Sequence, residues 1–413
     1  MPIQPVADIR PSDAASKSQA PRIVEPIRFQ HPELPDSAEI DRYLLLARNA
    51  RWFSNGGPCH RLLRDRLEQF LERRCYVVLT ANGTMGLLLA LRALLGERPA
   101  GSLVIVPSFT FPATVEAIRW CGLQPLWVDV ERSGWHLDPH ALSDALTNHT
   151  GEVAGVLACS TFGTAPSKSQ AATWRELCSQ ARIPLIVDSA PGFGSRDEDG
   201  EHLGAQGDAE VFSFHATKPF AIGEGGAVTT SDPALAERLT ALTNFGFDSD
   251  RTVGDALGLN AKLSEIHAAI GLAVLDRFDA ILAARRTRAE RMRHELEPAG
   301  YRFQAGSRSS AWQFVPVLAP NPEVREEVLA DARRQAIEIR TYHPPLHRMP
   351  VFASHPSHGE LTATDELAAR SLSLPLANDL SGGEVERIVT LLLECAARKP
   401  DALRADNGEG QDE

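Results

Sequence analysis

One lysine stands in a setting that could do chemistry. Phe212-Ser-Phe-His-Ala-Thr-Lys218 leaves an apolar, strand-like stretch, and Pro219-Phe-Ala-Ile-Gly-Glu-Gly-Gly226 then turns the chain on glycine. An amine in an apolar pocket loses part of its charge, because desolvation disfavours the ammonium form. A neutral lysine can form a Schiff base with a carbonyl. Taken alone, the segment also describes a surface lysine in a loop. A second segment, Pro184-Leu-Ile-Val-Asp188-Ser-Ala-Pro-Gly-Phe-Gly194, ends an apolar strand on a carboxylate. The C-terminal ends of strands are where open α/β sheets bind ligands. The alternative is an aspartate that only caps the next turn. In a third segment, Tyr76–Thr80 leads into Ala81-Asn-Gly83-Thr84-Met-Gly86 and then a helix-like run. The free N–H groups and dipole of such a helix start favour an anion, although an ordinary threonine cap would look the same. Ser213, just before Lys218, could add a hydroxyl.

An amine for a Schiff base, a buried carboxylate and a phosphate cradle suit pyridoxal phosphate (PLP). That cofactor needs an acid partner to keep its pyridine nitrogen protonated, so that the ring acts as an electron sink. Competing motifs are weak. Gly192-Phe-Gly194 lacks the third glycine of a dinucleotide fingerprint, and G-x-x-x-x-G-K-[ST] is absent. Two prolines separate His343 and His347, and no H-E-x-x-H or C-x-x-C accompanies them, so no metal site is expected. G-x-S-x-G is also absent.

The elements that would position these residues follow a regular alternation. Seven runs have strand character: Tyr76–Thr80, Leu103–Pro107, Pro125–Val130, Val153–Ser160, Pro184–Asp188, Ala209–Phe214 and Gly226–Thr230. They are nearly continuous in Val, Ile and other apolar residues, as buried strands of a largely parallel sheet are. Helix-like stretches such as Thr84–Leu95, Ala113–Cys121 and Ser169–Ala181 separate several of them, the βαβ pattern of an α/β domain. From Ser264 to about Leu296 the spacing predicts one long helix with a buried stripe of Ile266, Ile270, Ala273, Val274, Phe278, Ile281 and Leu282. Its arginines 285, 286, 288, 291 and 293 read as a solvated face. The expected organisation is an arm over 1–25, a large PLP-binding α/β domain over 26–290, a small α+β domain over 291–399 and an acidic tail over 400–413.

The 413 residues suggest two or three domains with a sizeable core. Lys and Arg number 42 against 54 Asp and Glu, and a net charge of −12 argues against a broad nucleic-acid surface. No apolar run reaches a membrane span, and the first residues show no secretory h-region. Six dispersed cysteines read as a reducing compartment, so a cytoplasmic protein is expected.

Over about residues 40–395 the chain resembles the DegT/DnrJ/StrS family of PLP-dependent sugar aminotransferases. The matching segments include Asn82-Gly-Thr-Met-Gly, Val106-Pro-Ser-Phe-Thr-Phe-Pro-Ala-Thr, Leu185-Ile-Val-Asp-Ser-Ala, Phe212-Ser-Phe-His-Ala-Thr-Lys, Gly258-Leu-Asn-Ala-Lys and Tyr342-His-Pro-Pro-Leu-His, in the family's order. The resemblance implies an aspartate-aminotransferase-like fold: a seven-stranded, mostly parallel sheet with a small C-terminal domain. It also implies a homodimer with shared active sites. It puts Lys218 on the Schiff-base lysine and Asp188 on the pyridine-nitrogen partner. Phe111 falls on the stacking aromatic, Gly83, Thr84 and Ser213 on phosphate contacts, and Asn260 on a phosphate contact from the neighbouring subunit. Tyr342, His343 and the loop 52–57 fall near the acceptor pocket. The implied reaction moves an amino group from an amino acid, glutamate by resemblance, to a nucleotide-linked keto sugar in amino-sugar, surface-polysaccharide or natural-product biosynthesis. Two departures stand out. Pro191 occupies a position where the family usually has Gln or His to bond the cofactor's phenolic oxygen, and Lys262 replaces a frequent Arg. Pro191 leaves a non-sugar ketone, an aldehyde, a cyclitol or a non-transaminase reaction open. A non-catalytic PLP-binding protein is the rival from another class, against which the pairing of Lys218 with Asp188 counts.

Overall fold

The computed structural model describes residues 25–248 and 250–398. The N-terminal arm and the acidic tail expected over residues 400–413 lie outside the described residues. Two helices, α1 (Ser37–Ala50) and α2 (Pro58–Phe70), come first. Strand and helix then alternate through β1 (Tyr76–Thr80), α3 (Gly83–Leu95), β2 (Leu103–Pro107), α4 (Pro112–Trp120), β3 (Gln124–Val128) and α5 (Pro139–Asn148). The series continues through β4 (Val153–Cys159), α6 (Lys168–Ala181), β5 (Leu185–Asp188), β6 (Ala209–Ser213), β7 (Gly226–Thr230) and α7 (Pro233–Thr243). Local chemistry sets the helix starts. The side chains of Asn82, Asp138, Ser167 and Asp232 each accept a backbone N–H of the first turn, and Pro112, Pro139 and Pro233 open their helices.

The seven strands form one sheet in the order β1-β7-β6-β5-β4-β2-β3. Only β7 runs antiparallel to its neighbours β1 and β6; the other pairings are parallel. Helices cover both faces, so β2 is buried at every position, which explains its unbroken apolar run. Cys159, Asp188 and Val211 stand in register across β4, β5 and β6. The strand ends that carry chemistry therefore lie side by side. Gly226 lets β7 pass under the start of α3: a Cβ there would sit 2.7 Å from both Asn82 C and Gly83 N.

After α8 (Glu265–Leu275) and α9 (Phe278–Leu296) come β8 (Arg302–Phe303), β9 (Val315–Leu318), α10 (Pro322–Arg334), α11 (Thr362–Arg370), β10 (Ser371–Leu374) and α12 (Gly382–Ala397). The last three strands form a separate antiparallel sheet, β10-β9-β8. Val317, Val328, Leu372, Ile388 and Leu392 pack beside it in a core of their own.

Two expectations are corrected here. The single helix after Ser264 is two, α8 and α9, separated at Asp276 and Arg277, where Arg277 leaves helical geometry (φ −117°, ψ 6°). Tyr43 and Arg66 hold the Asp276 carboxylate from the side, at 2.9 and 2.8 Å. Ile266 falls outside the buried stripe and is half-exposed. The arginine row is only in part a solvated face: Arg291 is exposed, but the others are wholly or partly buried. Arg285 and Arg293 are each only 5% exposed. Arg285 donates to Trp312 O (2.9 Å) and to Asn378 Oδ1 (2.8 Å), Arg286 to Gly194 O, Arg288 to Leu380 O and Arg291 to Gly382 O. Charge spacing announces a polar face; it does not announce the chain segments whose carbonyls that face will bind.

Candidate active site

A cavity of about 480 Å³ opens beyond the C-terminal ends of β4, β5 and β6, between the starts of α3 and α4. Gly83, Thr84, Phe111, Asp188, Ser213 and Lys218 all line it, and Tyr342 and His343 close its far wall. Asn260 lies outside this lining; it is exposed, and its Oδ1 accepts from Lys262 Nζ at 2.7 Å. The loop 52–57 also lies outside it, with Trp52 and Phe53 half-exposed.

Asp188 is buried at the tip of β5. Its Oδ2 accepts from the Thr114 hydroxyl (2.6 Å) and its Oδ1 from the Ala190 N–H (3.0 Å). Burial nevertheless raises its carboxyl above the ordinary range, against those two donors and the Lys218 charge. Lys218 Nζ donates to Gln313 Oε1 at 3.1 Å. Burial pushes the amine down to about 8, with the Asp188 charge pulling the other way. A substantial neutral fraction therefore exists near neutral pH, as carbonyl chemistry needs.

The anion end is built by the start of α3. Asn82 caps the helix by accepting from Met85 N at 2.9 Å, and the Gly86 N–H bonds back to Asn82 O. The N–H groups of Gly83 and Thr84 precede that first intrahelical bond. Gly83 also leaves room: a Cβ on it would lie 2.9 Å from Ser213 Cβ. Phe111 caps α4 ahead of Pro112, in an extended conformation that a following proline favours (φ −81°, ψ 146°). Its ring is 54% exposed, unusual for a phenylalanine lining a cavity. His343 stacks on Phe162 (centroids 4.8 Å apart, 10° between planes). Burial and the Lys218 charge push its imidazole down to about 3, and its buried Nδ1 has no partner among the described residues.

A serine, a histidine and an aspartate also meet nearby. Ser108 Oγ is 2.8 Å from His347 Nδ1, whose Nε2 lies 3.5 Å from Asp365. Ser108 is completely buried and also accepts the His347 N–H (3.0 Å), so its hydroxyl faces no substrate. This cluster ties the segment after Pro345 to the end of β2.

Sequence reasoning assigns no role to three residues of the site. Gln313 lines the cavity, belongs to no local motif and reaches Lys218 from 95 positions away. Thr114 is fully buried on α4 and acts on the site only through its bond to Asp188. Ser160 lines the cavity just past the end of β4.

The model of the DegT/DnrJ/EryC1/StrS aminotransferase family matches residues 36–393. The chain belongs to this family. Its enzyme class is that of the PLP-dependent aminotransferases. A Mycobacterium tuberculosis protein, Rv3402c, is 36% identical over 376 residues, which are 90% of each chain. The dTDP-4-amino-4,6-dideoxy-D-glucose transaminase of Shigella dysenteriae is 31% identical over 378 residues, covering 90% of this chain and 99% of that one. Among solved structures, DesI in the presence of its TDP-sugar product shares 33% identity, with a TM-score of 0.81 over 92% of this chain and 95% of DesI. These family members also account for the seven-stranded sheet, which is that of the PLP-dependent transferases. Among the described residues, no helix is long and apolar enough to cross a membrane.

Proposed function

We propose that the chain transfers an amino group from glutamate to a keto sugar carried on a nucleotide, with PLP seated in the 480 Å³ cavity and with active sites shared in a homodimer. The observation that carries the reading is the convergence of Lys218 and Asp188 on one cavity that also holds an anion cradle.

The residues present fit PLP. Asp188 is a buried carboxylate held by two neutral donors, and the cation it calls for would be a protonated ring nitrogen. The N–H groups of Gly83 and Thr84, with the Ser213 hydroxyl, would hold the phosphate. Phe111 offers an exposed ring face for a flat aromatic. When bound, PLP supplies an aldehyde carbon that amines condense with and a ring that takes up the electron pair left when a proton leaves carbon. Lys218 Nζ, partly neutral near pH 8, would be the base that accepts the α-proton of the donor and returns it to the cofactor's former aldehyde carbon, across the shared nitrogen. Gln313 fixes that amine from the side. Asp188 would keep the ring nitrogen protonated. His343 is neutral and has an unpartnered Nδ1, so it would hydrogen-bond a hydroxyl or carbonyl of the acceptor beside Tyr342. Asn260 and the loop 52–57 would complete the site of a neighbouring subunit. The reading of the acceptor is supported by the sugar nucleotide named for DesI and for the Shigella relative.

The test is the visible absorption of PLP-loaded protein before and after glutamate. The expected result is loss of the visible band with release of a keto acid, and a TDP-linked keto sugar then restores the band. Lys218→Ala abolishes both changes. A protein that takes up no PLP, or a Lys218→Ala variant with full turnover, overturns the proposal.

A further inference from the structure

Glu210 takes no part in the proposed transfer, yet it is a carboxyl with no exposure at all, on the interior strand β6. Side chains alternate along a strand. Glu210 therefore faces the sheet side opposite to Val211, the residue in register with Asp188. Its Oε2 accepts from the backbone N–H groups of Gly204 (2.7 Å) and Gln206 (3.0 Å). Its Oε1 lies 2.5 Å from Ser189 Oγ, and Ser189 Oγ lies 2.8 Å from Ser160 Oγ. Ser160 lines the active-site cavity. The ends of β4 and β5 and the first half of β6 thus supply an unbroken line of oxygens from a buried carboxyl to the cavity wall, on the face of the sheet that Asp188 does not use.

Each serine hydroxyl has one proton to donate. With Glu210 ionised, Ser189 donates to the carboxylate and accepts from Ser160. Ser160 then presents only lone pairs to the cavity. With Glu210 protonated, every bond reverses: Glu210 donates to Ser189, Ser189 to Ser160, and Ser160 has its proton free for the cavity. We infer that Glu210 is a positioning residue that sets whether Ser160 offers the bound cofactor a donor or an acceptor, a polar contact that Pro191 cannot make. The change moves one proton. A group in the cavity gives a proton to Ser160 Oγ, Ser160 passes its own to Ser189, and Ser189 passes its own to Glu210 Oε1; no other bond changes. The identity of the ligand rests on the PLP reading above, whereas the hydroxyl line itself does not.

Both states are accessible near neutral pH, because burial raises Glu210 to about 7 against its three donors. The titratable group facing it is Cys75, which burial and the Glu210 charge push up to about 12, so the thiol stays neutral. The titratable and charged groups that line the same cavity as Ser160 are Asp188, Lys218, Glu224, Arg340, His215 and His343.

Two variants test this. In Glu210→Gln the amide oxygen can keep the Gly204 and Gln206 bonds, and the amide N–H₂ donates to Ser189, which fixes Ser160 as a donor. Ser189→Ala breaks the line and leaves Glu210 in place. In cofactor-free protein, the infrared band of a protonated carboxyl is followed from about pH 5 to about pH 9. The wild type should lose such a band with a midpoint near 7. Glu210→Gln should lack it, and Ser189→Ala should move the midpoint upward, because a donor to the ionised form is gone. In PLP-loaded protein, the visible spectrum of the wild type should show a step at the same midpoint, and both variants should lose the step. A step that persists unchanged in both variants overturns the inference, as does a carboxyl band that fails to titrate in this range. If the protein takes up no PLP, the cofactor reading falls, and the infrared midpoints of wild type and Ser189→Ala decide the hydroxyl line on their own.

Discussion

Replacing Thr114 by Val should weaken the protein in a way that depends on pH. The Thr114 hydroxyl donates to Asp188 Oδ2 at 2.6 Å, and valine keeps the shape while removing the donor. Thr110, which also touches Thr114, retains Cys159 Sγ at 3.0 Å. A hydrogen bond to a charged group contributes about 1.5–3 kcal/mol. At about 1.36 kcal/mol per unit, its loss raises the Asp188 pKa by roughly 1–2 units. The sign follows from the direction already present. Asp188 in the folded chain is raised above its unfolded value of about 3.9. A carboxyl raised on folding opposes stability wherever the unfolded chain is ionised, and that opposition vanishes once pH falls below the unfolded value, where both states hold the proton. The variant enlarges the opposition. Urea unfolding of the cofactor-free protein, compared with wild type at a series of pH values, should show a deficit of about 1.5–3 kcal/mol at pH 8. The deficit should shrink steadily as pH falls toward about 4, leaving only the smaller loss of a neutral hydrogen bond. A deficit that is the same at every pH, or that grows in acid, would refute the claim that Thr114 favours the ionised form.

Two further outcomes are expected. Gly83→Ala drives a methyl to 2.9 Å from Ser213 Cβ; overpacking of that kind costs about 1–3 kcal/mol, which should lower Tm by a few degrees, and because it narrows the cradle, PLP uptake measured by absorbance on the folded protein should fall at least about tenfold. Uptake at wild-type affinity would remove Gly83 from the cradle. Arg285→Met should lower unfolding free energy by about 2–4 kcal/mol, because the Trp312 and Leu376 carbonyls lose a buried donor, whereas Arg291→Met, at an exposed position, should cost about 0.5 kcal/mol or less. Equal effects at the two sites would contradict the description of the arginine row.

The sheet is legible because its strands are largely buried on both faces and therefore nearly continuous in apolar residues, so each of the seven falls within a residue or two of its sequence-predicted bounds. Lys218, Asp188 and the Gly83 turn were legible for a related reason: polar residues that end an apolar strand stand out in the chain. Gln313 could not be seen, since its meaning comes from a lysine 95 positions earlier. The break at Asp276 was hidden because α8 and α9 bury overlapping stripes and no Pro or Gly marks the gap; the residues that receive Asp276 sit far back in α1 and α2. Glu210 reads as one polar residue in an apolar strand until Ser189, at the end of the neighbouring β5, and Ser160, at the end of β4 beyond it, are placed in line with it.

The hairpin that carries Lys218 has a consequence for how such an enzyme can change. Ser213 and Gly226 pair directly, and the lysine lies in the loop 214–225 that they close. An insertion or deletion between them would displace the amine from the carboxylate on β5, so this segment tolerates little alteration in length. Gln313, Tyr342 and His343 are delivered by connections outside the large sheet, where residues can be exchanged without disturbing its strand pairings, although Arg340 is tied to Ser373 of β10. The chain thus separates a fixed reaction apparatus from an exchangeable wall. New acceptors are to be sought by varying residues 341–343 while Gln313, which holds the Lys218 amine, is kept; a library confined to those positions should retain amine chemistry while its choice of ketone drifts.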